Sequence, residues 1–194
     1  MNIDSKKVLN SILLSDDNIE LFENELLEIL PELIVCQNCE QNMPAHRMPV
    51  LAHIYEVVNG VDKDVTLKLA ALFHDIGKPY VKKTVKEIDS FKGHEQVSEV
   101  LAGFILQRLG FEKEIKQDVS LLIRYHDFEL LPTKESIDNI TEKIGRGLVL
   151  PLLKLQWSDL LAHSEQKVRE MLPARQDTMG YYLNNYVQQT EKPI

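Results

Sequence analysis

Residues 69–79 read LAALFHDIGKP, an apolar run that breaks into His74, Asp75, Gly77 and Lys78. A run of this kind belongs in a helical core. Burying an imidazole, a carboxylate and an ammonium there is costly unless each finds a partner. The chain must therefore fold so that other polar groups converge on this segment. Metal coordination is one such solution, because it takes neutral imidazoles and ionised carboxylates from several elements at once.

The rest of the chain is patterned for helices, with hardly any strand signal. Residues 5–13 and 17–30 look helical, the second carrying Ile19, Phe22, Leu26, Ile29 and Leu30 at helical spacings before Pro31 closes it. Residues 34–47, with Pro44, read as a polar connector. This divides an N-terminal helical hairpin with its connector (1–43) from a main bundle (44–194). Pro49 suits the first turn of a helix to Asn59, stopped by Gly60. Asp62 or Asp64 can cap the next helix, which is expected to reach Ile76 and end at Gly77. Residues 79–92 interleave β-branched residues with lysines and read as a loop or short hairpin. Further helices are expected at about 95–109, 113–126, 136–145, 150–164 with Pro151 in its first turn, and 174–189 with Tyr181, Tyr182 and Tyr186. The expected fold class is all-α, a helical bundle with one loop or hairpin after the segment quoted above.

Composition narrows the function classes. Apolar residues are 44% and charged residues 27% of 194, with only 8 Gly and 8 Pro, the balance of a soluble globular chain. No run approaches the roughly 20 apolar residues of a membrane span. The start MNIDSKKVLN lacks the basic-then-apolar layout of a signal peptide, so a cytoplasmic protein without membrane contacts is expected. A net charge of −8 disfavours general DNA binding, which draws on phosphate contacts, although a local basic patch can still attract a small anion. Cys36 and Cys39 form one CxxC. With no second pair and no βαβ pattern around it, two reduced thiols are expected rather than a zinc or redox site.

Three further polar residues sit on apolar faces. His53 follows Val50 by three and precedes Val57 by four; His126 follows Leu122 by four and Val119 by seven; Asp159 follows Leu152 by seven and Leu155 by four. His94 stands at the far end of the lysine loop. Any one of these histidines alone reads best as a hydrogen-bonded core residue. As a set with His74 and Asp75 they read better as a shared metal site.

The order His53, His74–Asp75, His94, His126, Asp159 resembles the HD-domain superfamily of metal-dependent phosphohydrolases, whose signature is H … HD … D. The match LFHDIGKP carries the adjacent His–Asp, the Gly and the following Lys of that signature. A closer likeness is to the HD region of bacterial tRNA nucleotidyltransferase and poly(A) polymerase-like proteins. Its quoted features are LPEL at 30–33, PAH at 44–46, FKGHE at 91–95 and LQWSDLLAH at 155–163. No nucleotidyltransferase head, with its Gly-Ser turn and paired Asp, is found, so a free-standing HD module is expected.

The resemblance implies an enzyme whose metal ligands are His53, His74, Asp75 and Asp159, with His94 and His126 as the extra pair of two-metal members. Asp75 would bridge the ions. Mixed imidazole and carboxylate ligation suits Fe, Mn, Co, Ni or Zn better than Mg. It further implies hydrolysis of a phosphomonoester or phosphodiester of a nucleotide or RNA end by a metal-activated hydroxide, with Asp75 and Lys78 as catalytic residues. The other readings are a nucleotide pyrophosphate-bond hydrolase and a non-catalytic nucleotide- or RNA-binding module. Lys78, Lys82, His46 and His163 are the expected substrate contacts. A solvated lysine loop and a plain surface His46 are the competing readings of two of these. The expected partner is a phosphate-containing small molecule or RNA end, and a homodimer is compatible with the terminal helices.

Overall fold

Helices form where the apolar stripes predict them. The computed structural model describes residues 4–46 and 48–187. Helix α1 (Ser5–Leu13) is capped by the Asp4 carboxylate, which accepts from the Lys7 amide. A 3-10 turn (Ile19–Phe22) leads into α2 (Glu23–Ile29), and a second (Pro31–Leu33) into α3 (Ile34–Gln37). Then follow α4 (Val50–Gly60), α5 (Val65–Phe73) and the single turn α6 (Lys78–Val81). Strands β1 (Lys83–Val85) and β2 (Ile88–Ser90) make one antiparallel hairpin. Helices α7 (His94–Arg108), α8 (Lys113–Tyr125), α9 (Lys134–Ile144), α10 (Arg146–Leu161) and α11 (Glu165–Tyr182) complete the bundle. None of the described helices is long and apolar enough to cross a membrane. The all-α expectation holds, and the hairpin falls within the lysine-rich segment.

Helix α5 is the hub. Every residue from Leu67 to Phe73 is buried, and the helix packs on α1, α4, α7, α8 and α10. Leu9 and Leu13 of α1 and Leu26, Leu30 and Leu33 belong to the same apolar cluster as Leu69, Leu72 and Phe73. The core therefore runs without a break from the N-terminal hairpin into the bundle.

Local chemistry moves several boundaries. The expected helix 17–30 starts as a 3-10 turn and becomes α-helical only at Glu23. The connector expected at 34–47 begins with α3, which turns Cys36 into the core. Both cysteines are free, and burial, then nearby Asp75 and Cys39, push the Cys36 thiol up to about 12, so it stays protonated. Helix α10 starts at Arg146 and carries Pro151 inside it rather than in its first turn. Helix α11 starts at Glu165, well before the expected 174, because the Ser164 hydroxyl caps it by accepting from the Lys167 amide; Pro173 then lies mid-helix. Residues 188 and 189 of the expected helix lie outside the described residues.

The hairpin turns through Lys86 and Glu87, both left-handed at φ 50° and 64°, the twist a two-residue connection between antiparallel strands requires. Its inward residue is Asp89. The carboxylate accepts from Thr84 Oγ1 at 2.6 Å, the Asn42 amide at 2.8 Å and Lys82 Nζ at 2.8 Å. These donors, Lys82 first, hold Asp89 at a pKa of about 2.

Gly77 differs most from its expected role. Its backbone is right-handed helical, at φ −79°, so it is not a left-handed helix stop. What demands glycine is proximity to α7: a Cβ there would lie 2.5 Å from the His94 carbonyl and 2.6 Å from the Ser98 amide. The Gly77 amide also donates to Ser98 Oγ at 2.9 Å. Gly77→Ala should therefore lower stability by about 1–3 kcal/mol through overpacking. Gly103→Ala, within α7 and with nothing within 4 Å of the added methyl, should raise it by about 0.5–1 kcal/mol. Denaturant midpoints of the two variants test both signs, and a Gly77→Ala protein as stable as its parent would refute the packing account.

Candidate metal centre

Asp75 follows the C-terminus of α5 in a turn that aims its carboxylate inward, 1% exposed. Four imidazoles surround it. On one side, Oδ2 lies 3.4 Å from His53 Nε2 (α4) and 3.3 Å from His74 Nε2 (end of α5). On the other, Oδ1 lies 3.0 Å from His94 Nε2 (start of α7) and 3.9 Å from His126 Nε2 (end of α8). Asp159 of α10 closes the first side, its Oδ1 being 2.9 Å from His53 Nε2 and 3.7 Å from His74 Nε2. The six residues predicted from the sequence as ligands are thus brought together from five segments.

The imidazoles are oriented from behind. Nδ1 of His74 donates to the Ala71 carbonyl (2.8 Å), Nδ1 of His94 to the Phe91 carbonyl (3.0 Å) and Nδ1 of His126 to the Ile123 carbonyl (2.7 Å). A carbonyl can only accept, so Nδ1 carries the proton. In the neutral ring each Nε2 then offers a lone pair towards Asp75. The facing nitrogens of His94 and His126, 3.2 Å apart, have no proton to share in that tautomer; His53 Nε2, 3.4 Å from His74 Nε2, is instead hydrogen-bonded to Asp159 Oδ1 at 2.9 Å. Both oxygens of Asp75 are buried without a hydrogen bond of good geometry. A buried carboxylate paired with Lys78 and ringed by imidazole lone pairs, in a set of N and O donors, fits a divalent cation. Two clusters of ligand atoms share Asp75: one with His53 and His74, one with His94 and His126.

The charges are strongly interdependent. Burial opposes protonation of His74, but Asp75 beside it, followed by Asp159, outweighs burial and lifts its pKa to about 10. Burial would raise Asp75 and Asp159; His74 and Lys78 hold the first, and His53 and His74 the second, well below the usual carboxylate range. His53 and His126 are pushed down chiefly by burial, whereas for His94 the Asp75 contact overcomes it.

The remaining predicted contacts separate. Lys78 is buried, its Nζ 2.6 Å from Asp75 Oδ2 and 2.9 Å from Gln41 Oε1. It lines a cleft of about 430 Å³ over the centre, with His46, Lys92, Asp127 and His163. The His46 and His163 rings are 4.4 Å apart, and His163 Nδ1 donates to the Asp159 carbonyl at 2.7 Å. Burial, then Lys78, lower His46 to a pKa of about 3, so its ring is neutral. Lys82 does not line the cleft. Its ammonium is bound to Asp89 and, at 2.6 Å, to the Glu40 carbonyl, because the hairpin register buries Asp89 beside it. Lys83 and Lys86 are exposed on the hairpin. Sequence reasoning missed Gln41, which lies in the supposed connector, and Lys167, which reaches the cleft from the unforeseen first turns of α11.

This fold and centre agree with comparison to known proteins. The family model described as the HD domain matches residues 45–175, and the chain belongs to that family, whose members are generally metal-dependent phosphohydrolases. A CC-adding tRNA nucleotidyltransferase from Thermus thermophilus is 33% identical over 104 residues, or 50% of this chain and 24% of that protein. The chain thus spans about a quarter of the length of that relative.

A protonated His74 is not a ligand, so metal loading must displace its proton. Below the raised pKa of about 10 the proton competes, and affinity should increase as pH rises. Calorimetry with Mn²⁺ or Zn²⁺ near pH 7.5, in buffers of different ionisation enthalpy, should show net proton release. An affinity independent of pH across the neutral range would contradict the assigned electrostatics.

Proposed function

We propose that this protein is a metal-dependent phosphohydrolase acting on a phosphomonoester or phosphodiester of a nucleotide or RNA end. The observation that carries the reading is the two-sided placement of Asp75, one oxygen towards His53 and His74, the other towards His94 and His126. A carboxylate so placed could contribute to both of the ligand sets that share it. His53, His74, Asp75 and Asp159 would hold one and His94, His126 and Asp75 the second, from among Fe, Mn, Co, Ni and Zn. Bound divalent ions supply a nucleophile from water at neutral pH and neutralise charge on phosphoryl oxygens.

The chain's own groups do the rest. Lys78, held by Gln41, brings its ammonium beside Asp75 at the floor of the cleft, where negative charge would grow on the phosphoryl group. Lys92 and Lys167 on the walls draw in the anion. His163, anchored on the Asp159 backbone, faces the same space and can pass a proton to the leaving group, while neutral His46 beside it can orient a phosphoryl oxygen.

Asp75→Ala should abolish stoichiometric metal and turnover together while far-ultraviolet circular dichroism stays helical. Elemental analysis of the purified protein, followed by a panel of phosphomonoesters, 2′,3′-cyclic nucleotides and pyrophosphates, tests the reading. Retained activity in the variant, or a metal-loaded parent inert on every ester, would sink it, the latter in favour of a binding module. Lys78→Ala should keep its metal and lose about 10²-fold in kcat; unchanged kinetics would remove Lys78 from the reaction.

A further inference from the structure

A second compartment adjoins the metal cleft, and its residues beyond those shared with the cleft have no part in the reaction proposed above. This slot, of about 300 Å³, lies between α11, the end of α10 and residues 127–132. It shares Asp127, Asp159, His163 and Lys167 with the cleft, so the two are continuous. Leu130, Leu160 and Met171 give it an apolar wall. It is held open by polar ties: Thr178 Oγ1 donates to the Leu130 carbonyl at 3.1 Å, and Gln156 Nε2 donates to the carbonyls of His126 (2.9 Å) and Phe128 (2.7 Å).

Arg175 stands in this slot. Its Nη1 donates to Gln156 Oε1 at 2.6 Å, so the residue that clamps the backbone after His126 also fixes the guanidinium. That is the single hydrogen bond of Arg175 among the described residues, and it forms no ion pair there. Asp127, Glu129 and Asp159 act on it only through space. A partly buried guanidinium with unused donors and no bonded counter-ion is an unmet demand for an anion. Its planar fork suits phosphate, and Lys167 at the junction adds a second positive charge.

We propose that Arg175, set by Gln156 and assisted by Lys167, forms a second phosphate subsite, so that the preferred substrates are nucleotides bearing two separate phosphate groups. One phosphate lies over the Asp75 centre, the other meets Arg175, and the nucleoside rests against Leu130, Leu160 and Met171. The inference rests on the phosphohydrolase reading for the role of the first phosphate, but the subsite itself is a binding property.

The test is equilibrium binding to the whole chain in the presence of a chelator, where phosphate recognition is read without turnover. Adenosine 3′,5′-bisphosphate should bind about ten-fold or more tighter than 5′-AMP or 3′-AMP. Arg175→Ala should erase that preference, and Arg175→Lys should keep part of it, with melting curves showing that both variants fold. A parent that binds the bisphosphate no better than the monophosphates, or an Arg175→Ala protein that keeps the preference, would overturn the subsite. Either result is independent of whether the metal-loaded protein hydrolyses any ester, so this inference and the proposed activity fail separately.

Discussion

Asp75 is buried to 1% exposure with neither oxygen in a hydrogen bond of good geometry, so the fold has to bring compensating positive charge to it from elsewhere. An ionised carboxylate in that position would otherwise cost several kcal/mol. The chain answers with four histidines, one lysine and a metal-compatible arrangement of donor atoms, drawn from α4, the α5–α6 turn, α7, α8 and α10. Because no two neighbouring segments could supply this set, the site constrains the relative placement of most of the bundle.

The packing shows how that placement is enforced. His74 and His126 occupy equivalent positions, each the residue that closes a helix, and each is followed by an aspartate. The last carbonyls of a helix have no intrahelical partner. Here the Nδ1 groups of those histidines take up the carbonyls of Ala71 and Ile123, which satisfies the helix end and fixes the ring in one step. Gly77 then lets the segment press against the start of α7, where Ser98 receives its amide and His94 projects towards Asp75. One close backbone approach thus sets the spacing between the two halves of the centre.

What was legible in the sequence follows from which signals are local. The inward positions of His53, His126 and Asp159 can be read from helical spacing, because a helix fixes the angle between residues three, four and seven apart. The first turns of α11 lie outside the expected helix 174–189 because the Ser164 cap starts the helix at Glu165, with Pro173 carried inside it. Lys82 stands outside the cleft for a different reason: its partner Asp89 is buried by hairpin register and by Asn42, facts about pairing that spacing does not encode. Gly77 and Gln41 belong to the same category. Each owes its role to a contact between segments about twenty or more residues apart.

The ligand set and the walls of the cleft come from different parts of the chain. All six candidate ligands lie on elements from α4 to α10, within the region matched by the HD family. The groups that would meet the rest of a substrate come from other segments, most of them still within the matched region: residues 43–46 ahead of α4, the end of the hairpin with Phe91 and Lys92, and Lys167 on α11. A chain of net charge −8 nevertheless places Lys78, Lys92 and Lys167 around one opening. These ammonium groups share the opening with Asp75, Glu95, Asp127 and Asp159, so both signs of charge meet there. Under the proposed reading the centre would supply the chemistry, while the end of the hairpin and α11 would select the phosphate compound.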